Sequence, residues 1–283
     1  MVIKKVLITG GSGFVGKSII KYLKGSFKIT ASYNNKKPKN NNVKWINLRF
    51  GKNKNLKLFE KFDAVIHLAT SKSKIDSKDD FLMEKIFLKK ICKFCLTKNK
   101  PFIFLSSTII YKNRSKNKES SQIRIKHNNP YINSKINFEK IVRKNFKKGL
   151  KALILRVPSV YDDNLNNIKF IEKIKNKLIS NKKIVFYKPT NVKTRFIHVE
   201  DISKIIKDSL KLNYYGVYNL ESKESFRILD IIKKLKKKVK SKSQISIVNK
   251  KFENLIFPEV SNFKIRRNFK IVPQKKFMSL LIS

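Results

Sequence analysis

The sequence has few of the residues that build metal sites and disulfide frameworks. Among its 283 residues are 2 cysteines and 3 histidines. Cys92 and Cys95 lie three positions apart in a helical pattern, and no second pair completes a zinc site, so we expect core residues. His67, His127 and His198 are scattered without metal-ligand spacing. We therefore expect no metal site, and structural roles for the histidines.

Acidic residues are also scarce: 19 Asp and Glu stand against 67 Lys and Arg, a formal net charge of +48. Such an excess raises nucleic acid or an anionic membrane surface as a partner. The basic residues are spread along the chain, however. The densest run, 233–242, has the pattern of the solvated face of a helix whose apolar side carries Ile231, Ile232, Leu235 and Val239. The charge by itself predicts only non-specific binding of nucleic acid.

Long uncharged runs are missing as well. No run approaches the roughly 18 residues that a membrane span requires. Met1 leads directly into an apolar strand pattern without a signal segment, so a cytoplasmic protein is expected. With 41% hydrophobic and 11% aromatic residues, the chain can fill the core of one large α/β domain with a smaller lobe attached.

Glycine is rare and concentrated. Gly10, Gly11, Gly13 and Gly16 are four of the 8 glycines in the chain, and they lie between a buried-strand pattern, 6–9, and a helical pattern. Glycines permit a tight turn and a close approach of a ligand to the backbone, and the N–H groups that open the helix favour an anion. The stretch predicts a binding site for the pyrophosphate of a dinucleotide, although such a turn also serves as a plain strand-to-helix connection.

Strand and helix patterns alternate after this turn. Strands are predicted at 27–32, 43–48, 63–68 and 101–105, and helices at 14–24, 81–96 and from Pro130 to about Phe146. This alternation predicts an α/β fold with a doubly wound parallel sheet of the Rossmann type and a smaller C-terminal substrate lobe. We assign 1–161, with returns near 197–221, to a dinucleotide-binding domain, and 162–283 to an interleaved substrate lobe.

A second motif, NPYINSK at 129–135, opens the long helix. Tyr131 and Lys135 are i and i+4 on one face of it. An ammonium near a phenol favours the phenolate, so with Ser107 these groups could exchange a proton with a substrate hydroxyl while a nicotinamide exchanges a hydride. Taken alone, Tyr131 would more often be an ordinary residue of an amphipathic helix, because YxxxK arises by chance in a lysine-rich chain.

The end of the second predicted strand bears on the choice of cofactor. An acidic residue there binds the adenosine ribose in NAD-specific folds. Here Ser32 takes that place, and Lys36 and Lys37 follow. The sequence therefore favours NADP slightly over NAD.

Together these motifs resemble the extended short-chain dehydrogenase/reductase family, in its nucleotide-sugar epimerase/dehydratase branch. The similar segments run nearly from end to end and are LITGGSGFVG, HLAT, SSTIIY, NPYINSK, LRVPSVY, RFIHVED, YNLES and SNFKIRRNFKIVP. The resemblance implies NAD(P) as cofactor and a nucleotide-diphosphate sugar as substrate. A homodimer is one option for the assembly.

The resemblance also implies roles for individual residues. Tyr131 would be the acid/base, Lys135 would orient the nicotinamide ribose and lower the tyrosine pKa, and Ser107 would bind the reacting sugar oxygen. Arg195 would bind the substrate diphosphate. The implied cofactor-binding residues are Gly10, Gly13, Phe14, Val15, Gly16, Ser32, Asn47, Leu68, Ala69, Tyr131 and Lys135. The implied substrate-binding residues are Ser107, Ser159 and Arg195.

Some positions depart from the family pattern. Ser159 stands where many members have an asparagine, Lys112 where glycine is usual, and Asn47 where an aspartate contacts the adenine. Members that eliminate water carry an Asp-Glu pair directly after the serine, whereas this chain has Thr108 and Ile109. Neither can act as a carboxylic acid. We therefore expect a C4 epimerase or a 4-keto reductase.

Two alternatives belong to other classes of protein. One is a non-catalytic NAD(P)-sensing or scaffold protein of the same fold, against which the intact set of Ser107, Tyr131 and Lys135 argues. The other is a basic nucleic-acid-binding protein, which would need basic residues concentrated on one face with aromatic residues between them.

Overall fold

The protein is described by a computed structural model covering residues 3–39, 43–49, 57–70, 78–115, 117–165, 168–188, 190–222, 224–249, 258–270 and 277–282. The helices are α1 (Phe14–Leu23), α2 (Lys78–Thr97), α3 (Pro130–Phe146), α4 (Lys169–Ile179), α5 (Val199–Leu212), α6 (Ile228–Lys238), α7 (Phe263–Phe269) and α8 (Phe277–Ile282). The strands are β1 (Lys5–Thr9), β2 (Lys28–Tyr33), β3 (Lys44–Asn47), β4 (Ala64–His67), β5 (Phe102–Ser107), β6 (Ala152–Val157), β7 (Ser159–Tyr161), β8 (Ile184–Tyr187), β9 (Lys193–Thr194), β10 (Phe196–His198), β11 (Gly216–Asn219), β12 (Phe226–Arg227) and β13 (Ile245–Val248).

Seven parallel strands form the central sheet, in the order β11-β6-β5-β4-β1-β2-β3. The predicted α/β fold with a parallel sheet is therefore confirmed. The direction of winding reverses at β1, whose neighbours are β2 and β4. In open sheets of this kind, ligands bind beyond the carboxyl ends of the strands at this reversal.

Each face of the sheet is covered by helices. One core contains Ile19 of α1 and Ile202 of α5, and the other contains Phe87 of α2 and Phe138 of α3. Because both faces are covered, strands such as β6 are buried along their whole length and are almost continuously apolar. Each fully buried aliphatic or aromatic side chain stabilises the fold by roughly 1.5–3 kcal/mol.

A third core lies outside the sheet and joins α4, α6 and α8 with β8. In α6 the apolar side is buried as predicted through Ile231, Ile232 and Leu235, and Val239 packs against the same core. Lysines of this helix lie on its exposed side. Within the described ranges, no helix is long and apolar enough to cross a membrane.

The predicted elements differ from the observed ones mainly at their ends. The strand predicted at 101–105 continues to Ser107, because Ser106 and Ser107 pair in register with Arg156 and Val157 of β6. The polar side chains of Ser106 and Ser107 suggest the end of a strand, but β6 supplies backbone partners for both residues. Cys92 and Cys95 are buried free thiols in α2, and burial raises the pKa of both.

Candidate active site

The glycine turn leaves no room for a side chain at Gly10 or Gly16. Gly10 has a φ of +73°, and a Cβ there would lie 2.6 Å from the backbone nitrogen of Ala69. A Cβ on Gly16 would collide with the carbonyl oxygen of Gly10, so glycine at this position lets α1 begin directly against the turn. The N–H of Gly13 donates to the Gly10 carbonyl at 3.0 Å and closes the turn.

The start of α1 suits an anion. Gly13 is the N-cap, so no side chain caps the first turn, and that turn contains no acidic residue. The first N–H groups of a helix lack partners within it, and the helix dipole places partial positive charge there. Together with the glycine cradle, this end of α1 fits the pyrophosphate of a dinucleotide.

The ends of β2 and β3 lie beside the turn. The Ser32 hydroxyl accepts the Gly10 N–H at 2.9 Å, so this buried side chain supports the turn. The exposed Asn47 amide donates to the Asn34 carbonyl at 2.9 Å, and Arg49 Nε donates to the same oxygen at 3.2 Å. Arg49 was not singled out from the sequence, yet it places a cation at the predicted adenosine end.

A cavity of about 240 Å³ opens beyond the carboxyl ends of β4, β5 and β6. The predicted site residues along its wall are Val15, Leu68, Ala69, Ser107, Tyr131, Lys135 and Ser159. The buried Glu84 of α2 also lines it, and the sequence analysis did not identify this residue.

Local signals place the tyrosine and the lysine. The side chain of Asn129 caps α3 by accepting the Ile132 N–H at 3.2 Å, and Pro130 opens the helix, so Tyr131 falls in the first turn. One turn later, Lys135 Nζ donates to the Leu105 carbonyl of β5 at 3.1 Å and lies 5.8 Å from the centre of the Tyr131 ring. This bond ties the lysine to the strand that ends in the predicted catalytic serine.

His67 lines the same cavity and is fully buried. Its Nδ1 lies 2.8 Å from the Thr9 hydroxyl oxygen. Burial, assisted by the charge of Lys135, lowers the pKa of His67 to about 3, so the imidazole is neutral. Within the described ranges, no three His, Cys, Asp or Glu side chains are grouped so as to hold a metal ion.

A second cavity, of about 110 Å³, adjoins the first. Ser107, Tyr131, Pro158 and Ser159 line both cavities, and Arg195 lines the second. Ser107 and Tyr131, two of the three predicted catalytic residues, thus lie where the two cavities meet.

Arg195 is paired with two acids. Its Nε lies 2.5 Å from Glu221 Oε1 and its Nη2 lies 3.1 Å from Glu259 Oε1. The sequence analysis missed both glutamates. They come from segments far apart in the chain, so no local spacing could have indicated them.

A buried polar network supports the site from behind. Glu139, one turn after Lys135, accepts the Ser106 hydroxyl at 2.6 Å and pairs with Arg156 Nη2 at 2.5 Å. Arg156 Nη1 donates to the Tyr111 hydroxyl at 2.6 Å. The sequence analysis did not identify this network, although a single arginine in the apolar strand β6 requires a buried partner.

A family model described as "NAD dependent epimerase/dehydratase family" matches residues 6–220 of the chain. The chain belongs to this family. The match extends from β1 to the residue after β11 and so includes the glycine turn and both cavities' shared wall.

Two curated proteins are similar in sequence to this member of the epimerase/dehydratase family. The dTDP-D-glucose 4,6-dehydratase of Dictyostelium discoideum is 29% identical over 269 residues, which cover 82% of this chain and 62% of that protein. The chain therefore spans less than two thirds of that relative. The ADP-L-glycero-D-manno-heptose-6-epimerase of Brachyspira hyodysenteriae is 24% identical over 294 residues, covering 93% and 87%.

Solved structures share the fold. A UDP-N-acetylglucosamine 4-epimerase from Methanobrevibacter ruminantium M1, in complex with UDP-N-acetylmuramic acid, superposes with a TM-score of 0.81 at 22% identity and covers 100% of this chain and 97% of its own. A UDP-glucuronic acid 4-epimerase from Bacillus cereus, in complex with NAD, gives 0.81 at 19% identity, with 98% and 96% covered. At these identities the likeness shows the Rossmann-type fold of the epimerase/dehydratase family.

The predicted site residues of this family member fall into three groups. Gly10, Gly13, Phe14 and Gly16 form the turn and the start of α1, while Ser32 and Asn47 lie at the neighbouring strand ends. The remaining residues line the cavities. Their roles toward cofactor and substrate stay predictions.

Proposed function

We propose that the chain is an NAD(P)-dependent enzyme that moves hydride at C4 of a nucleotide-diphosphate sugar, as a 4-epimerase or a 4-keto reductase. The observation that carries the proposal is the shared wall of the two cavities. Ser107 and Tyr131 face one space that continues to Lys135 and another that contains Arg195. A sugar between the two spaces would reach both the acid/base and the nicotinamide.

In this proposal Tyr131 and Ser107 act on the hydroxyl group of the sugar. Tyr131 takes the proton of the sugar hydroxyl during oxidation and returns it during reduction, and Ser107 donates a hydrogen bond to the same oxygen. Lys135, held by the Leu105 carbonyl, orients the nicotinamide ribose. When bound, the nicotinamide supplies the hydride acceptor and donor.

The cofactor proposal rests on the glycine cradle and on relatives. Structures of a UDP-glucuronic acid 4-epimerase and of a dTDP-glucose 4,6-dehydratase from Bacillus anthracis contain NAD. These support a nicotinamide dinucleotide in general. The preference for NADP stays a prediction, which the nearby Arg49 favours because a cation suits a 2′-phosphate.

The proposed domains follow the cores except at α7. The sheet and its two cores form the proposed dinucleotide-binding part, and the third core belongs to the proposed substrate lobe, 162–283. Helix α7 lies within 162–283 but contributes Ile265 and Phe269 to a core of the sheet. A cytoplasmic location, a homodimer and only non-specific contact with nucleic acid remain predictions.

A dehydratase is the second candidate, because the Dictyostelium discoideum relative carries that name. Elimination of water needs an acid and a base besides the tyrosine. The second cavity has Thr108 and Ile109 at the expected place, and none of its described lining residues is a carboxylic acid. The first cavity does contain a carboxylic acid, Glu84, which could serve in an elimination. The assay must therefore also look for the product of elimination, a 4-keto-6-deoxy sugar.

The test uses the tyrosine. Wild-type protein and Tyr131→Phe are supplied with a panel of nucleotide sugars, including 4-keto sugars, and with the oxidised cofactor (NAD+ or NADP+) or the reduced cofactor (NADH or NADPH). The nicotinamide absorbance and the sugar products are followed. We expect Tyr131→Phe to keep cofactor binding and to lose about 10²–10⁴-fold in turnover. Tyr215→Phe, which removes a surface hydroxyl bonded to Asn213, is the control and should behave like wild type.

The outcomes separate the candidates. Net consumption of NADPH indicates a reductase, and interconversion of sugars without net consumption indicates an epimerase. A 4-keto-6-deoxy product would replace both by the dehydratase. Full activity of Tyr131→Phe would remove this residue from the mechanism and favour a different acid/base.

A further inference from the structure

Arg195 does not face the second cavity as an unpaired cation. The residue connects β9 to β10, and its guanidinium contacts Glu221 at 2.5 Å and Glu259 at 3.1 Å. The side chains of Arg195 and Glu221 are 12% and 4% exposed, whereas that of Glu259 is 52% exposed. One carboxylate is therefore fixed inside the protein, and the other is accessible from solvent.

The two acids offset the charge of the arginine. The cluster of Arg195, Glu221 and Glu259 has a formal charge of −1 with both carboxylates ionised and of 0 with Glu221 neutral, in a protein of net charge +48. Guanidinium groups bind phosphates through paired N–H groups. Here Nε and Nη2 of Arg195 already donate to carboxylate oxygens, so a phosphate must compete for them.

Glu221 is held by more than the arginine. Its Oε2 accepts the Val260 N–H at 3.3 Å, and its backbone N–H donates to Asn262 Oδ1 at 2.9 Å. Glu259 precedes Val260. Among the salt bridges of the described residues, its carboxylate has one, to Nη2 of Arg195. A ligand can therefore displace Glu259 with small motions, whereas Glu221 stays in place.

We propose that Glu221 and Glu259 are specificity-determining residues that compete with the ligand's phosphate groups for Arg195, so that a diphosphate binds by displacing Glu259 while Glu221 stays in place. The inference rests on the proposed function, because it takes the diphosphate of a nucleotide sugar as the ligand. It assigns a role to two residues outside the serine, tyrosine and lysine set. It also makes diphosphate affinity depend on pH.

The sign of that dependence follows from the groups around Glu221, which are the cation Arg195, the anion Glu259, the Val260 N–H and the neutral Asn262. Burial raises the pKa of Glu221 to about 8, although Arg195 acts in the opposite direction. An arriving anion favours the neutral acid further. Binding therefore takes up a proton, and affinity falls as pH rises through about 8.

The experiment measures binding of UDP-glucose by calorimetry at pH 6.5 and 8.5 and at physiological salt. This probe suits the test because both of its phosphates are diesters and keep their charge over that range. We expect wild type to lose about three- to fourfold in affinity between the two pH values, and Glu221→Gln to stay level. At pH 8.5 the variant should bind about three- to fourfold more tightly than wild type.

Glu259→Gln gives an independent measurement, because substitution of a half-exposed side chain is expected to leave the fold intact. We expect about two- to fivefold tighter binding, the usual size for an exposed ion pair. Asp230→Asn is the matched control, since it also removes one negative charge and frees an arginine, Arg227. It should leave affinity for the probe unchanged.

Unchanged or weaker binding by both Glu221→Gln and Glu259→Gln would overturn the proposal, as would absence of binding in every variant. A gain in Asp230→Asn equal to that in Glu259→Gln would show an effect of net charge only. These results are separate from the turnover of Tyr131→Phe. Tighter binding by the glutamine variants beside an active Tyr131→Phe would support the carboxylate competition and reject the proposed acid/base.

Discussion

Two arginine–glutamate pairs in this protein have the same short contact in different surroundings. Arg156 Nη2 lies 2.5 Å from Glu139, and Arg195 Nε lies 2.5 Å from Glu221. Both side chains of the first pair are fully buried. Their hydrogen-bond partners are neutral groups such as the Tyr111 hydroxyl, and a second cation, Arg143 of α3, lies 4.0 Å from Glu139. The second pair lies at a cavity and includes a further, exposed carboxylate.

The difference shows what the surroundings add to an ion pair. The Glu139–Arg156 pair has no solvent or ligand with which to exchange partners, so it holds α3 against β6. The Glu221–Arg195 pair can exchange a carboxylate for an anionic ligand. We therefore expect variants of the first pair to change stability and variants of the second to change binding and pH dependence.

The largest effect on stability is expected from Glu139→Gln. The substitution leaves the buried charge of Arg156 without a counter-ion, and breaking such a pair destabilises proteins by about 3–5 kcal/mol. Urea unfolding at pH 7 measures the loss. Glu172→Gln, at an exposed glutamate in the first turn of α4, is the control and should change stability by less than about 1 kcal/mol, the size of its interaction with the helix dipole.

A double variant sharpens this prediction. Replacing Glu139 and Arg156 together by methionine removes both buried charges, and apolar residues of similar volume often restore stability. The double variant should therefore be more stable than Glu139→Gln. Equal loss in both would mean that the neutral partners of the pair, such as Ser106 and Tyr111, matter more than its charge.

Much of the fold, and the glycine turn after β1, could be predicted because most of the signals are local. Asn129 and Pro130 are residues typical of a helix start, and α3 begins there and runs to Phe146 as predicted. Gly10 and Gly16 are needed where a Cβ would collide with the backbone. For α3 and for Gly16 the physical reason lies nearby in the chain, whereas the backbone that a Cβ on Gly10 would meet is that of Leu68 and Ala69, after the neighbouring strand β4.

The charged partners could not be predicted because they depend on long-range packing. Glu221 follows β11, and Glu259 precedes α7, so only the folded chain brings them to Arg195. For Arg156, a charge within a buried apolar strand indicates that some partner exists. Nothing local shows that the partner is Glu139, on the helix packed beside it.

A smaller effect, with a distinct pH dependence, is expected from Glu221→Gln. Burial raises the pKa of Glu221 from 4.5 to about 8, so the folded state favours the neutral acid. Its contribution to stability is present below about pH 4.5 and is lost as pH rises through 8. The permanently neutral variant should match wild type at pH 4 and exceed it at pH 9 by about 1–3 kcal/mol.

Urea unfolding of both proteins across this range tests the sign, because other titrating groups cancel in the difference. Should wild type instead become the more stable protein at pH 9, the attraction of Arg195 would outweigh burial. Glu221 would then be a structural partner of the arginine, as Glu139 is of Arg156.

The smallest effect is expected at a third pair, Arg227 and Asp230, on the exposed start of α6. Arg227 Nε lies 3.0 Å from Asp230 Oδ2, but the side chains are 59% and 45% exposed. Water and salt screen such pairs, and measured couplings are about 0.2–1 kcal/mol. Asp230 also lies in the first turn of the helix, where a carboxylate interacts favourably with the dipole, so a single substitution would mix two effects.

A double-mutant cycle of Arg227→Gln and Asp230→Asn isolates the pair. We expect a coupling below about 0.5 kcal/mol that disappears at 1 M salt. A coupling as large as the loss in Glu139→Gln would show that burial does not set the order of the three pairs.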